Sequence, residues 1–403
     1  MNSDRWRLLA ILTASYGAGA FGMLGVSPLS PSLVHGFALS RLEVAFIVPS
    51  IYVGGLLFSV PAGRLADRIG VRPTLLGGLA VGGLALLAAA AAPVFPAFLS
   101  CLFVAGLGWS AVNPVLGRAI IDLFGLRERG VAMGLKQMGL TVGGVAAALL
   151  LPAVAAMLGW RVAIAMCGAV VALPVALAWR PLRGLGRHAA TAGPGAASPV
   201  VDTRGWWAWR RPTLVVFFAS GLVLGMVQAA VLSYFPLYTI EVLGFDTIGA
   251  GFLVAASQAG GAVSRLVLGA ASDRWMAGRR SAWLAGTAVV AAGVFAVYAF
   301  GAFRTPLTAG LLAFATGIGA YGWVGTFFVM SAEIGGPKDA GLLSGMAFTS
   351  IVVGLLSGPA LFGLLLVWRD SYVAPWSAFA GLAAAVAVAT RLAGPAIDRE
   401  ARR

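Results

Sequence analysis

The chain has 403 residues, of which 60% are hydrophobic and 10% charged, with a mean hydropathy of +0.93. A soluble domain carries about 25% charged residues, so 28 basic and 14 acidic side chains are too few to coat a water-soluble body of this size. The 55 Gly and 20 Pro follow no Gly-X-Y period, which excludes a collagen-like chain and leaves a polytopic helical membrane protein.

A spanning helix needs about 20 mostly apolar residues. Twelve such stretches occur in chain order: 8–34, 44–63, 73–93, 96–121, 130–156, 161–180, 212–238, 247–271, 281–302, 305–332, 341–367 and 373–395. The first follows Arg5 and Arg7 and runs past Met23 without a cleavage site, so it reads as a retained helix rather than a signal peptide. Twelve spans put both termini on one side. That side collects 22 of the 28 Lys and Arg, while only Arg41, Arg161, Arg304 and Arg369 fall opposite. The positive-inside rule then places both termini in the cytoplasm of a cytoplasmic (inner) membrane protein.

The net charge of +14 is therefore a loop property, suited to an anionic lipid leaflet. No basic face with interleaved aromatics is present to bind nucleic acid. Cys101 and Cys167 both lie inside apolar stretches, so neither a disulfide framework nor a thiol metal site is indicated. His35 and His188 lack ligand-spaced partners, so no metal is expected. The phosphate-binding loop G-x-x-x-x-G-K-[ST], the zincin H-E-x-x-H and the hydrolase G-x-S-x-G are absent. Neither enzyme chemistry nor a cofactor is expected, and gradients must supply the energy.

Residues 181–211, around "TAGPGAASP", have no apolar period and read as a cytoplasmic linker between an N-terminal bundle, 1–180, and a C-terminal bundle, 212–403. The halves resemble each other. Gly63-Arg-Leu-Ala-Asp67-Arg68 matches Gly269-Ala-Ala-Ser-Asp273-Arg274 at an offset of 206, and Gly130 and Gly134 match Gly341 and Gly345 at 211. Such offsets argue for duplication, and parallel six-helix repeats are a transporter architecture.

At the second-to-third span connection stands Gly63-Arg64-Leu65-Ala66-Asp67-Arg68-Ile69-Gly70-Val71-Arg72, and a degenerate copy, Gly269 through Arg280, joins the eighth and ninth spans. In these two copies the chain resembles the major facilitator superfamily over nearly its whole length. The resemblance implies an all-α membrane protein with twelve transmembrane helices in two pseudo-symmetric six-helix bundles, acting as a monomer. It also implies that the motif residues Gly63, Asp67, Arg68, Arg72, Gly269, Asp273 and Arg274 form a gating latch. Charge-assisted bonds across helix ends would make that latch physically, and Arg118 with Asp122 ends the fourth span at the same level. The plainer alternative is a topology signal with surface ion pairs worth little.

All 14 acidic residues lie at span ends or in loops. Without a mid-span carboxylate, cationic cargo lacks its usual partner. The family's antiporter-type Gly-Pro pair in the fifth span is also missing from "GLTVGGVAAALLLP". Two cations remain inside spans: Lys136 in the fifth and Arg265 in the eighth, each about 10–12 Å in from the cytoplasmic end. In the family these helices face each other across the gap between halves, and its organic-anion members, monocarboxylate porters among them, carry an Arg four residues before the eighth-helix glycine, here Arg265 and Gly269. Arg suits bidentate carboxylate recognition and Lys supplies a point charge. The competing readings are a snorkelling Lys136 and an Arg265 that bonds only to backbone carbonyls.

Gln258 shares a helical stripe with Arg265, and Gly139 and Gly143 share one with Lys136. Tyr16, Asn113, Gln137, Gln228 and Tyr321 are further polar candidates for lining a pathway; interhelical bonding worth about 0.6 kcal/mol is their alternative role. Tyr234, Phe235 and Tyr238 read as interfacial belt aromatics. The expected activity is secondary transport of a small organic anion, a carboxylate, by alternating access, with proton coupling or anion exchange both open. The alternative is a proton-driven exporter of drug-like or apolar metabolites.

Overall fold

A computed structural model describes residues 2–184, 211–275, 280–301 and 305–400; most of the expected linker, 185–210, lies outside the described residues. The described chain is helical, without strands. The first half holds α1 (Asn2–Gly25), α2 (Ser30–Phe37), α3 (Ile47–Ile69), α4 (Val71–Ala90), α5 (Phe95–Leu123), α6 (Leu126–Leu158) and α7 (Trp160–Leu177). The second holds α8 (Pro212–Glu241), α9 (Thr247–Trp275), α10 (Arg280–Phe300), α11 (Pro306–Tyr321), α12 (Val324–Arg369) and α13 (Val373–Glu400). Ten segments are long and apolar enough to cross a membrane, and α3 and α9, of 23 and 29 residues, complete the twelve.

Three spans differ in detail from the apolar stretches. The stretch 8–34 folds as two helices: α1 stops at Gly25, and Pro31 at the start of α2, with the Ser30 hydroxyl donating to the Ser27 carbonyl, sets a new helix after a turn. The stretch 305–332 is interrupted at Gly322–Trp323, between α11 and α12. With 46 residues, α12 would be about 69 Å long if straight, more than twice a bilayer core. It serves two passes, the first ending at Gly335 and the second beginning at Leu342.

Among the described residues, those within 2–39, 46–184 and 245–255 form one compact unit, and those within 40–45, 211–244 and 256–400 form the other. Each is built on backbone contact at glycines, the device that lets helices pack where lipid removes the hydrophobic drive. In the first unit a Cβ at Gly139 or Gly143 of α6 would run into the carbonyls of Thr13 or Gly17 on α1. In the second, a Cβ at Gly354 or Gly358 of α12 would meet the carbonyls of Leu222 or Met226 on α8 in the same way. The pair α3–α5 meets at Gly54 and Gly106, and its counterpart α9–α11 at Gly260 and Gly317. The duplication visible in the motifs is therefore also a duplication of packing.

Gly70 alone connects α3 to α4, with φ 92° and ψ 167°. Only glycine visits that region without strain, which accounts for the second glycine of the motif. Gly70→Ala and Gly143→Ala are each expected to destabilise the protein by about 1–3 kcal/mol. Gly134→Ala, where an added Cβ meets nothing within 4 Å, is expected to be neutral or stabilising. Thermal unfolding in detergent measures the difference.

Candidate functional site

Lys136 lies on α6 one turn before Gly139, so the close approach of α1 at that glycine brings the ring of Tyr16 to it. The Lys136 ammonium sits 5.2 Å from the Tyr16 ring centroid, and the residue is 6% exposed. Tyr16 in turn stacks on Trp109 of α5, with centroids 5.3 Å apart and planes 3° from parallel. A ring face attracts a cation electrostatically, the more so when water is excluded. The first half therefore buries a positive charge on an aromatic platform made by α1, α5 and α6. Gln137, the next residue, is exposed on another face of α6.

Arg265 is held differently. Gly260 and Gly261 bring α9 onto α11, so that Ser264 lies against Gly322 and Gly261 against the Tyr321 ring. At this level the helical ladder between α11 and α12 is interrupted, and a helix end leaves carbonyls without intrahelical partners. Side-chain donors take their place: Arg265 Nε–H donates to the Tyr321 carbonyl at 3.0 Å, and Trp323 Nε1–H to the Ala320 carbonyl at 2.9 Å. The negative end of the α11 dipole also favours a cation there. Gln258 is half-buried two turns before Arg265, and the Tyr321 side chain is buried. Gln228 on α8 is half-buried, its Oε1 enclosed without a hydrogen-bond partner. Lys136 and Gln137 with Tyr16 thus fall in the first unit, and Gln228, Gln258, Arg265 and Tyr321 in the second.

At the ends of the helices on the side of the termini, Arg118 pairs with Asp122 one turn on, at 3.6 Å, and Arg72 lies over the Trp179 ring at 4.1 Å. Arg68 is exposed. Gly63, Asp67, Asn113, Gly269, Asp273 and Arg274 are on helices, but their surroundings lie outside the described residues. Three contacts that no motif signals tie the same ends together. Arg5 makes a bidentate pair with Glu128, at 2.8 and 2.9 Å, joining α1 to α6. Arg280 pairs with Glu333 at 3.0 Å, and Asp398 accepts from the Ser281 amide and hydroxyl, tying α13 to the start of α10.

The opposite end of the second unit holds a cluster that the sequence did not signal. Arg41 bonds Asp370 at 2.8 Å and Glu241 at 3.4 Å. Its backbone carbonyl accepts from the Tyr234 hydroxyl, and Tyr372 donates to Glu241. Burial, then the Glu241 charge, pushes the Tyr372 phenol up, keeping it a donor. Nearby, Ser40 hydrogen bonds hold the Glu43 carboxyl below its ordinary range. Tyr234, Phe235 and Tyr238 are not belt residues facing lipid: all are buried, packed with Tyr298, Phe362, Tyr372 and Trp376. An open cavity of about 560 Å³ lined by Tyr238, Tyr298 and Tyr372 lies beside them. Among the described residues, no group of three or more His, Cys, Asp or Glu could hold a metal ion.

Twelve spans in duplicated halves, with a buried cation in the fifth and a half-buried one in the eighth, are the build of a membrane carrier. The chain matches the Major Facilitator Superfamily profile over residues 9–359 and belongs to that family, so its work is transport rather than catalysis. It is 27% identical over 366 residues to the 3-(3-hydroxy-phenyl)propionate transporter of Escherichia coli (strain K12), covering 89% of this chain and 88% of the relative. In fold it is similar to a bacterial homolog of the human lysosomal transporter Spinster in an inward-facing, unoccupied conformation. The TM-score there is 0.75 at 18% identity, covering 100% of this chain and 98% of the other. It is also similar to a mutant of the nucleoside transporter NupG, with TM-score 0.76 at 13% identity, covering 96% and 99%.

The Asp398 contact can be tested apart from transport. Asp398→Ala is expected to cost about 1 kcal/mol by leaving the first turn of α10 without its acceptor, and Asp398→Asn to recover most of it. Thermal unfolding of the purified protein checks both.

Proposed function

We propose that the protein is a secondary active transporter that moves a small organic anion, a carboxylate, across the cytoplasmic membrane by alternating access of its two halves. The observation that carries this reading is a cation set inside a span of each half, Lys136 buried and Arg265 half-buried, in a chain whose 14 carboxylates all lie at span ends or in loops. A charge inside a span costs about 2.5–3.5 kcal/mol, and an anionic solute offsets part of that cost while it is bound. Arg265 holds the carboxylate, its planar guanidinium matching two oxygens. Lys136 supplements it with a point charge, and Tyr16, Gln258 and Tyr321 bound the same route.

The relative from Escherichia coli carries an aryl propionate in its name, which is a ring joined to a carboxylate. The Tyr16–Trp109 platform beside Lys136 supports cargo of that kind, since aromatic rings pair well in stacked or edge contacts. Both termini lie in the cytoplasm, in keeping with the excess of Lys and Arg on their side. The motif residues, with Arg72, Arg118 and Asp122, latch the cytoplasmic ends of the helices. The protein works as a monomer, and protons entering with the anion supply the driving force.

Uptake of labelled carboxylates, 3-(3-hydroxyphenyl)propionate among them, into proteoliposomes with and without an inward proton gradient tests the reading. Uptake is expected to rise with the gradient. Arg265→Ala and Lys136→Ala are each expected to lower it about 10- to 100-fold, the loss of a charged hydrogen bond or ion pair. Parent-level uptake by both variants would sink the anion site. Resistance to hydrophobic compounds on overexpression, without carboxylate uptake, would favour an exporter instead.

A further inference from the structure

The geometry points to Trp323 and Gly322 as positioning residues for Arg265: the interruption between α11 and α12 sets the orientation of the guanidinium and with it the affinity for a carboxylate. The inference rests on the anion reading above and adds a control element to it.

Four observations meet at this point. The ladder is interrupted at Gly322–Trp323 although both residues keep right-handed helical dihedrals, φ −69° and ψ −25° for Gly322 and φ −77° and ψ −25° for Trp323. No proline lies there to force the break, and sharp departures from a straight helix have identifiable causes, inserted side-chain donors among them. Two donors are inserted, at adjacent carbonyls: the Trp323 indole on Ala320 and the Arg265 guanidinium on Tyr321. Trp323 is fully buried and fixed edge-on against Phe327, at 5.5 Å. Finally, Gly322 leaves room for Ser264, the neighbour of Arg265; a Cβ there would collide with the Ser264 hydroxyl and approach its Cβ to 2.7 Å.

The physical consequence follows from the shape of the side chain. A guanidinium is flat, so a bond through Nε fixes the plane in which its remaining donors lie. Trp323 keeps the neighbouring Ala320 carbonyl occupied and the interruption open, so the Tyr321 carbonyl stays available to Nε. Without the indole donor, the α11–α12 junction can close towards a regular ladder, and Arg265 loses its fixed acceptor while keeping its charge. The expected signature is weaker carboxylate binding with an intact transport cycle.

Trp323→Phe removes the indole N–H and keeps a ring, and Gly322→Ala displaces Ser264. Each is expected to raise KM for 3-(3-hydroxyphenyl)propionate uptake about three- to tenfold, the worth of one hydrogen bond, with Vmax changed by less than about twofold. Arg265→Lys, which has charge but no planar fork, is expected to raise KM further. A readout independent of cargo is the Nε–H signal of Arg265 in protein labelled with ¹⁵N-arginine and reconstituted in lipid, assigned by its loss in Arg265→Lys. It should exchange slowly with deuterated water in the parent and faster in Trp323→Phe. Unchanged KM and unchanged exchange in Trp323→Phe overturn the inference, as does a parallel fall of Vmax and thermal stability with KM unmoved. If Arg265→Lys transports like the parent, or the parent takes up no carboxylate, the anion reading fails. The exchange measurement then decides the positioning role alone.

Discussion

A guanidinium inside a membrane-spanning bundle must find replacements for the water it has given up, and backbone carbonyls are the only acceptors that an apolar helix can offer. A regular helix keeps those carbonyls occupied. Holding Arg265 in mid-span therefore requires an irregular one, and the chain provides it in the tenth span, where Gly322 and Trp323 open the ladder and Tyr321 presents its carbonyl to Nε. Non-helical backbone at membrane depth is tolerated where protein groups satisfy it, so the cation and the interruption stabilise each other. Neither is explicable alone.

The glycines set how accurately such a contact can be made. Where α9 meets α11, Gly260, Gly261 and Gly317 bring one backbone against the other, and side chains one turn along are fixed by that approach. The same logic places Tyr16 under Lys136, through Gly139 and Gly143 against α1. Packing through backbone contact gives little freedom to slide, so each unit is held together as a body. The polar contacts at helix ends differ in kind. Arg41 with Glu241 and Asp370, and Arg5 with Glu128, are solvent-accessible pairs, each worth roughly 0–1 kcal/mol. They are cheap to break and re-form.

Much of the architecture was legible in the sequence because its signals are local. Span number follows from apolar length, and duplication from the two motif copies. The two cations inside spans were visible as Lys136 and Arg265 standing in otherwise apolar stretches. The Gly139 and Gly143 stripe was legible too, since its period is that of a helix face. What escaped depends on contacts between distant positions. The interruption at Gly322–Trp323 has no proline or polar run to announce it, and one of the two donors that meet its carbonyls stands 56 residues earlier. Arg41 reads as a lone loop charge until Glu241 and Asp370 arrive from spans far along the chain. Tyr234 and Tyr238 have the position of belt residues, and only the ring cluster around Trp376 shows that they face inward.

The two halves, alike in packing, treat their cations unlike. Beneath the Lys136 ammonium lies the face of Tyr16, and attraction to a ring face depends weakly on rotation of the ammonium. Arg265 Nε–H meets the Tyr321 carbonyl oxygen, and a hydrogen bond to it depends steeply on direction. One half therefore fixes the plane of its cation, while the other gives its cation a partner that tolerates a change of angle. The departure from symmetry at these two positions lies in the contacts that each cation makes, within a helix packing that the two halves share.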